Sequence, residues 1–241
     1  MGRFTIIDME TLTTANVGRH ELGIADVGKF KAISMARYLL RKFPHMQSVF
    51  GIPKRWEEAV HDRASLFSES NLIVSAMGSW QAEGSLNKYL REQYEDIPVV
   101  FGWVEPFAAA GHALLINKKT GCFACGTDRL GTPQLRVSRW PKNLLRQEPA
   151  CGAMFQPYGP IELAQINAHI AQISIDTLLD RVEADRSHRI WCANTDLVKS
   201  NGGSWSEDWE KIAGSRLSGG FSEHLSWPHN PDCWVCGKGR K

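Results

Sequence analysis

The chain has 241 residues, of which 43% are hydrophobic, so it is long enough to bury a complete core as one domain. Its 28 basic and 26 acidic residues nearly balance and form no long basic block, which argues against nucleic acid as the default partner. The apolar runs are too short to span a bilayer and no signal-peptide pattern opens the chain, so we expect no membrane partner.

The first half of the chain alternates between expected strands and expected helices. Three apolar residues precede Asp8 in the opening strand, and Ile33, Ala36 and Leu40 then recur at helical spacing until Pro44 ends the pattern. In chain order we expect a strand at 4–9, a helix at 29–43, a strand at 47–51, a helix at 55–60, a strand at 71–77, a helix at 82–94 and a strand at 99–104. This alternation predicts an α/β fold with a Rossmann-like, largely parallel sheet flanked by helices.

The second half of the chain predicts a different organisation. The expected elements are a strand at 113–116, an extended polar crossover at 126–150, a helix at 161–183, a strand at 188–192 and a mobile Gly- and Ser-rich loop at 202–220. We interpret the whole chain, residues 1–241, as a single domain with a nucleotide-binding half at 1–120, a crossover at 121–160 and a C-terminal part at 161–241.

Charged and polar side chains follow the first strand, and ligands of parallel α/β sheets bind beyond the carboxyl ends of strands. These candidates are Asp8, Glu10, Asn16, Arg19, Lys29 and Lys31. An acid at a strand end can hydrogen-bond a ribose hydroxyl, and an arginine with lysines can hold a triphosphate and offset charge in nucleotidyl transfer. Taken singly, each candidate also has an ordinary explanation as a turn cap or a solvated charge.

The order of these residues resembles the ThiF and ubiquitin-activating superfamily, whose members adenylate the C-terminal glycine of a ubiquitin-like or sulfur-carrier protein. The motifs that carry the resemblance are Asp-x-Glu at 8–10, Asn-x-x-Arg at 16–19 and Val-Gly-x-x-Lys at 27–31. The runs at 102–106 and 111–115 look like a bacterial branch that occurs with ubiquitin-like conjugation partners.

The resemblance implies a site for Mg-ATP and a role for each candidate residue. It assigns the ribose to Asp8, the phosphates to Arg19, the order of the loop to Asn16, the attacked α-phosphate to Lys31 with Lys29 as its substitute, and a place in the same site to Glu10. It also implies a homodimer and a downstream conjugating enzyme as a further partner.

The sequence departs from the family pattern at two places. No Gly-x-Gly-x-x-Gly turn precedes Asp8, so we interpret the chain as lacking the N-terminal Gly-rich unit, either as a fragment or by loss. The segment Ser75–Ser79 has no carboxylate where the family usually has a Mg²⁺-binding Asp, and Glu83 is the nearest acid downstream.

Four of the six cysteines form two Cys-x-x-Cys pairs. Cys122 and Cys125 form one pair and Cys233 and Cys236 the other, and four thiolates suit a tetrahedral structural Zn²⁺ that ties the C-terminal tail to the crossover. Unrelated buried pairs are the alternative. Because paired cysteines without a secretion signal indicate a reducing compartment, we expect a cytoplasmic protein.

The remaining cysteines and several aromatic or imidazole side chains have two interpretations each. Cys151 lies in the crossover, where thioester-forming relatives carry a nucleophilic cysteine, and the alternative is a packing role. Cys192 fits a core position. His112 can face the nucleotide site or serve as hydrogen-bonded scaffold, and the tryptophans of the C-terminal third can mark an interface or cover a small secondary core.

Two functions therefore follow from the sequence. The first is an ATP-dependent enzyme that adenylates the C-terminus of a ubiquitin-like or sulfur-carrier protein and passes the acyl group to Cys151. The alternative is a catalytically silent, zinc-stabilised binding module that pairs with an intact homologue. A dehydrogenase is disfavoured because no hydride-transfer constellation is visible.

Overall fold

The computed structural model describes residues 2–129, 132–141, 146–147, 154–155 and 158–237. The chain divides into two units, Met1–Glu69 and Ser70–Lys241. In the described ranges, no helix combines the length and the apolar character that crossing a membrane requires.

The first unit is built on a pair of parallel strands. Its elements are β1 (Arg3–Ile7), α1 (Thr14–Val17), α2 (Lys31–Lys42), β2 (Ser48–Ile52), α3 (Trp56–Asp62) and α4 (Ser65–Ser68). β1 pairs with β2 in parallel, and α2 packs on the pair. Gly51 permits this packing, because a Cβ added there would lie 2.3 Å from the Ala32 carbonyl oxygen. The expected strand–helix–strand order of this region is thus confirmed.

The second unit contains a five-stranded sheet and most of the helical residues. Its elements are β3 (Ile73–Ser75), α5 (Trp80–Gln93), β4 (Val99–Val104), β5 (Ala110–Ile116), β6 (Ser138–Arg139), β7 (Arg146–Gln147), β8 (Met154–Phe155), α6 (Pro160–Leu178), β9 (His188–Cys192), α7 (Thr195–Ser200), β10 (Ser204–Trp205), α8 (Glu207–Ala213) and β11 (Phe221–Leu225). The sheet has the order β11-β9-β5-β4-β3, and β6–β10 and β7–β8 form two small antiparallel pairs.

The α/β class and the Rossmann-like, helix-flanked arrangement are confirmed, but the strand directions are mixed rather than largely parallel. β3 and β4 run parallel, whereas β4–β5, β5–β9 and β9–β11 are antiparallel. For β4 and β5 the reason lies in the link at 105–109, which is too short for the crossover that a parallel neighbour needs. The strand β11 was not expected from the sequence.

The long helix α6 covers the centre of this sheet. Ile166 and Ile173 are fully buried on its inner face, and Gly111 of β5 lets the helix approach, since a Cβ there would lie 2.0 Å from Ile166 Cγ1. The helix ends earlier than the expected residue 183, and Asp180 just beyond it adopts a positive φ of 51°. The core therefore lies between α6 and the strands β4, β5 and β9.

The expected mobile loop at 202–220 is wrong for residues 207–213, which form α8. The Ser206 hydroxyl caps this helix by accepting a hydrogen bond from the Trp209 N–H at 3.1 Å. Trp209 is fully buried in a cluster with Val137, Ile190 and Cys192. The Gly and Ser content of the segment masked this cap and its one large anchoring side chain.

Candidate functional site

In the first unit, a short backbone ladder joins residues 10–12 to residues 28–31. Leu12 N–H donates to the Lys29 carbonyl at 2.9 Å, Gly28 N–H to Leu12 at 2.8 Å, and Lys31 N–H to Glu10 at 2.9 Å. Gly28 has φ 84°, a left-handed conformation that glycine adopts without a Cβ clash. The ladder brings the beginning and the end of the predicted nucleotide motif together.

Asp8 and Asn16 both organise the loop that follows β1. The Asp8 carboxylate accepts a hydrogen bond from the Glu10 N–H at 2.8 Å. The Asn16 side-chain oxygen accepts from the N–H and from the hydroxyl of Thr13, both at 3.1 Å, and so closes the first turn of α1. Arg19 is half-buried, and its N–H donates to the Asn16 carbonyl at 3.0 Å.

The two candidate lysines differ in their surroundings. Lys31 is only 13% exposed, and its Nζ lies 2.5 Å from a Glu10 carboxylate oxygen. Lys29 is 55% exposed and pairs with Asp26 at 3.3 Å. Lys31 is therefore an enclosed cation fixed in direction, whereas Lys29 is largely solvated.

His20 is electrostatically linked to these residues and was not among the candidates from the sequence. Its Nδ1 accepts a hydrogen bond from the Leu22 N–H at 3.0 Å. Burial first, and then the nearby positive charge of Lys31, lower the pKa of His20, while Asp8 opposes the shift. The charges of Asp8 and Lys31 therefore act on the imidazole in opposite directions, and its position directly after Arg19 was the available signal.

In the second unit, the segment 76–79, here called the β3–α5 loop, carries no carboxylate. Glu83, on the first turn of α5, is fully buried, and its Oε1 accepts a hydrogen bond from the Met77 N–H at 3.0 Å. Burial raises the pKa of Glu83 to about 7, although hydrogen bonds from the Met77 and Gly78 backbone oppose the shift. Glu83 is therefore turned onto the backbone of the loop and is not a solvent-facing metal ligand.

The four paired cysteines converge on one point. The Sγ atoms of Cys122, Cys125, Cys233 and Cys236 all lie within 4.8 Å of one another, with individual separations of 3.7 Å (122 to 233) and 3.4 Å (125 to 236). Tetrahedral Zn–S bonds of about 2.3 Å place sulfurs about 3.8 Å apart, so the cluster has the size of a zinc site. These distances are far beyond a disulfide bond.

The chemistry of the four sulfurs also fits a cation. Hydrogen bonding with Cys125 first, and then burial, raise the pKa of Cys122, so several thiolates cannot form here without a neutralising charge. Backbone N–H groups of Asn230 and Val235 donate to Cys125 and Cys233, both at 3.4 Å, as outer-shell groups do around bound metal. Trp227 adds a further tie by donating to the Cys122 carbonyl at 2.9 Å.

His112 belongs to a buried hydrogen-bond network. Its Nε2 lies 3.1 Å from Glu105 and its Nδ1 lies 3.0 Å from the Nε2 of His188. Glu105 also accepts from the N–H groups of Val137 and Ser138, both at 2.7 Å, and so fastens the crossover beside β6 to the end of β4. The scaffold interpretation therefore describes His112.

The electrostatics of this network follow from burial and from its donors. Burial alone would raise the pKa of Glu105, but the bonds from His112, Ser138 and Val137 outweigh it and lower the pKa. Burial, followed by the charge of His112, lowers the pKa of His188 well below its usual range, which keeps His188 neutral.

The remaining candidates are two cysteines and the tryptophans of the C-terminal third. Cys151 lies outside the residues that the structure describes, and Cys192 is fully buried in the core, as expected. Of the C-terminal tryptophans, Trp209 and Trp227 are buried and Trp234 is 43% exposed, so most of these rings cover a secondary core.

A model of the ThiF family matches residues 1–194, and the chain belongs to this family. It is similar to the ATP-dependent ubiquitin transferase-like protein Cap2 of Pseudomonas aeruginosa (strain BWHPSA011 / Pa011), with 27% identity over 183 residues, which is 75% of this chain and 31% of Cap2.

Solved structures show the same fold. E. coli MccB with ATP has a TM-score of 0.62 and 19% identity over 98% of this chain and 59% of that chain. The Microcin C7 biosynthetic enzyme MccB in complex with N-formylated MccA has a TM-score of 0.63 and 16% identity over 98% and 60%. The chain thus spans about a third of Cap2 and about three-fifths of MccB.

Proposed function

We propose that the chain takes part in the ATP-dependent adenylation of the C-terminal carboxyl group of a ubiquitin-like or sulfur-carrier protein. The observation that carries the proposal is the ladder between residues 10–12 and 28–31, which holds the enclosed Lys31 against Glu10 just beyond the carboxyl end of β1. Cap2 is named an ATP-dependent ubiquitin transferase-like protein, and MccB has been solved with ATP and with MccA.

Three of the candidate residues, Asp8, Arg19 and Lys31, have direct roles in this reaction. Asp8 accepts a hydrogen bond from a ribose hydroxyl, and Arg19 contacts the phosphates. The partner's carboxylate attacks the α-phosphate and pyrophosphate leaves, while Lys31 offsets the charge that develops there. Because the attacking carboxylate is already ionised at neutral pH, no general base is needed.

The two metals that the proposed function requires, Zn²⁺ and Mg²⁺, have separate roles. Zn²⁺ at the four clustered sulfurs would be structural, because protein ligands fill all four tetrahedral positions. It would fasten the tail to the crossover, joining cysteines 111 residues apart in the chain. Mg²⁺ would neutralise the ATP phosphates.

The partners and the later step follow from the same reaction class. The Cys151 thiolate attacks the carbonyl carbon of the acyl-adenylate, a C–S bond forms, the C–O bond to the phosphate breaks and AMP leaves. A downstream conjugating enzyme then receives the acyl group. We propose a homodimer as the assembly and the cytoplasm as the location.

A second function, a catalytically silent binding module, is favoured by one observation. The β3–α5 loop offers no carboxylate for Mg²⁺, and the nearest downstream acid, Glu83, is enclosed.

A labelling assay distinguishes the two functions. The chain is purified as Cys151→Ala, so that no thiolate at this position consumes the acyl-adenylate. It receives Mg²⁺, ATP labelled on its α-phosphate and a panel of β-grasp proteins with free C-terminal Gly-Gly, ubiquitin among them. We expect labelled AMP on a panel member and a loss of at least about a hundredfold in its rate of formation with Lys31→Ala. The control is Lys54→Ala, which removes a surface lysine paired with Asp62 and should label normally. Equal labelling by both variants would contradict the proposed role of Lys31, and the absence of AMP labelling alongside intact ATP binding would favour the binding module.

A further inference from the structure

The carboxylate of Glu83 holds the β3–α5 loop from its buried side and forms no ion pair among the described residues. The loop is exposed at Met77 and Gly78, whereas Glu83 below it is fully buried. The Glu83 Oε1 accepts the Met77 N–H at 3.0 Å, and its Oε2 has no hydrogen-bond partner within the described residues. A buried carboxylate that contacts only backbone N–H groups is fixed to the shape of that backbone.

The position of this carboxylate gives it a ligand-binding context. The loop leaves the carboxyl end of β3, which is parallel to β4, and Ser79 caps the helix that follows by accepting the Ala82 N–H at 3.4 Å. Gly78 has φ 66°, so the turn is sharp and depends on glycine. Ligands of such sheets lie beyond strand ends of this kind.

The anchoring of α5 on its other side makes Glu83 a fixed point. Asn87, one turn along the same helix face, is buried and accepts the Phe123 N–H at 3.0 Å. Trp80 stacks on Phe123 with ring centroids 6.1 Å apart. The helix is therefore held against residues 122–125, and Glu83 ties the β3–α5 loop to α5 in addition to the Ser79 cap.

We propose that Glu83 is a positioning residue that fixes the shape of the β3–α5 loop, and that it does so in the ionised form. A carboxylate offers acceptor lone pairs to both backbone N–H groups at the loop, whereas a carboxyl group carries a hydrogen of its own and accepts more weakly.

Among the described residues, no charged group contributes to the pKa shift of Glu83. The β3–α5 loop and β3 contain no ionisable side chain. The pKa of Glu83, raised to about 7, reflects burial opposed by the Met77 and Gly78 N–H groups, without a contribution from another charge. The ionised fraction of Glu83 therefore changes between pH 6 and pH 8.

The first test needs no nucleotide. Hydrogen exchange at the Met77 and Gly78 amides is compared between the wild type, Glu83→Gln and the control Glu92→Gln, which lies exposed on the same helix. We expect protection factors at pH 8 to fall about tenfold in Glu83→Gln and to stay unchanged in Glu92→Gln. Equal protection in all three proteins would overturn the proposal.

The second test measures the same protection factors at pH 6 and pH 8. Because Glu83 is about one-tenth ionised at pH 6 and about nine-tenths ionised at pH 8, the protection factors of the wild type should rise up to about tenfold between these pH values, while those of Glu83→Gln stay constant. Equal wild-type protection factors at both pH values would overturn the proposal.

Discussion

Glu83 and Glu105 show how two buried carboxylates acquire opposite properties. Glu105 receives hydrogen bonds from His112, Val137 and Ser138, which outweigh its burial and lower its pKa. Glu83 meets only backbone N–H groups of its own loop, and burial raises its pKa to about 7. The number and the charge of the donors decide the direction of the shift, although both carboxylates are buried.

Glu83→Gln should change the dependence of stability on pH. The pKa of Glu83 is about 7 in the folded chain and 4.5 as its ordinary value, so the folded state binds the extra proton between these values. The wild type should therefore lose up to about 3 kcal/mol of unfolding free energy relative to Glu83→Gln as pH rises from 4.5 past 7. Urea titrations across this range measure the effect, and parallel curves for both proteins would contradict it.

At the residue scale, the sequence identified candidate residues by type and spacing but did not show their contacts. Asp8, Asn16 and Lys31 were identifiable because their types and spacing match a motif. The roles of His20 and Glu83 depend on burial by segments distant in the chain, and local patterns do not report such burial. The pairing of Glu10 with Lys31 also required the backbone ladder, which the sequence does not display.

At the scale of elements, Glu105 just after β4 and His112 in β5 determine how the crossover is attached to the sheet. The hydrogen bonds from Val137 and Ser138 to Glu105 join the start of β6 to the sheet, and His112 orients the carboxylate. Strand existence was predictable from apolar runs such as 99–104. The direction of β5 and the presence of β11 were not, because pairing partners are chosen by loop length and long-range packing.

Glu105→Gln should destabilise the second unit strongly. The amide would place a donor against backbone donors and remove charge-assisted bonds, at a cost of about 2–4 kcal/mol in unfolding free energy. The matched control is Glu207→Gln, which also removes a carboxylate linked to the crossover, through Arg139 at 3.2 Å, but at an exposed position. Chemical denaturation measures the unfolding free energy of both variants. A loss of unfolding free energy in Glu105→Gln as small as that in the control would contradict the proposed contribution of the Glu105 hydrogen bonds.

At the scale of the whole molecule, long-range links complete the fold. The cysteine cluster joins segments 111 residues apart, and Trp227 reinforces the same contact through the Cys122 carbonyl. The sequence predicted this link from cysteine spacing alone, because metal ligation leaves a local signature. It did not predict the division into the units Met1–Glu69 and Ser70–Lys241.

Removal of metal should therefore destabilise the second unit. We expect one zinc per chain by elemental analysis, retained in Cys151→Ser and lost in Cys236→Ser. A strong chelator should lower the thermal midpoint by more than about 5 °C in the wild type. Full zinc content in Cys236→Ser, or an unchanged midpoint after complete removal of zinc, would contradict a structural metal.

The most direct test of the account is the fate of the α-phosphate of ATP when a partner tail is present. The labelling assay is run with each responding β-grasp protein intact and with its last two residues removed. The account predicts labelled AMP attached to the intact protein, release of pyrophosphate and no labelling of the shortened protein. Turnover of ATP to ADP, or equal labelling of intact and shortened proteins, would contradict adenylation of a C-terminal carboxyl group.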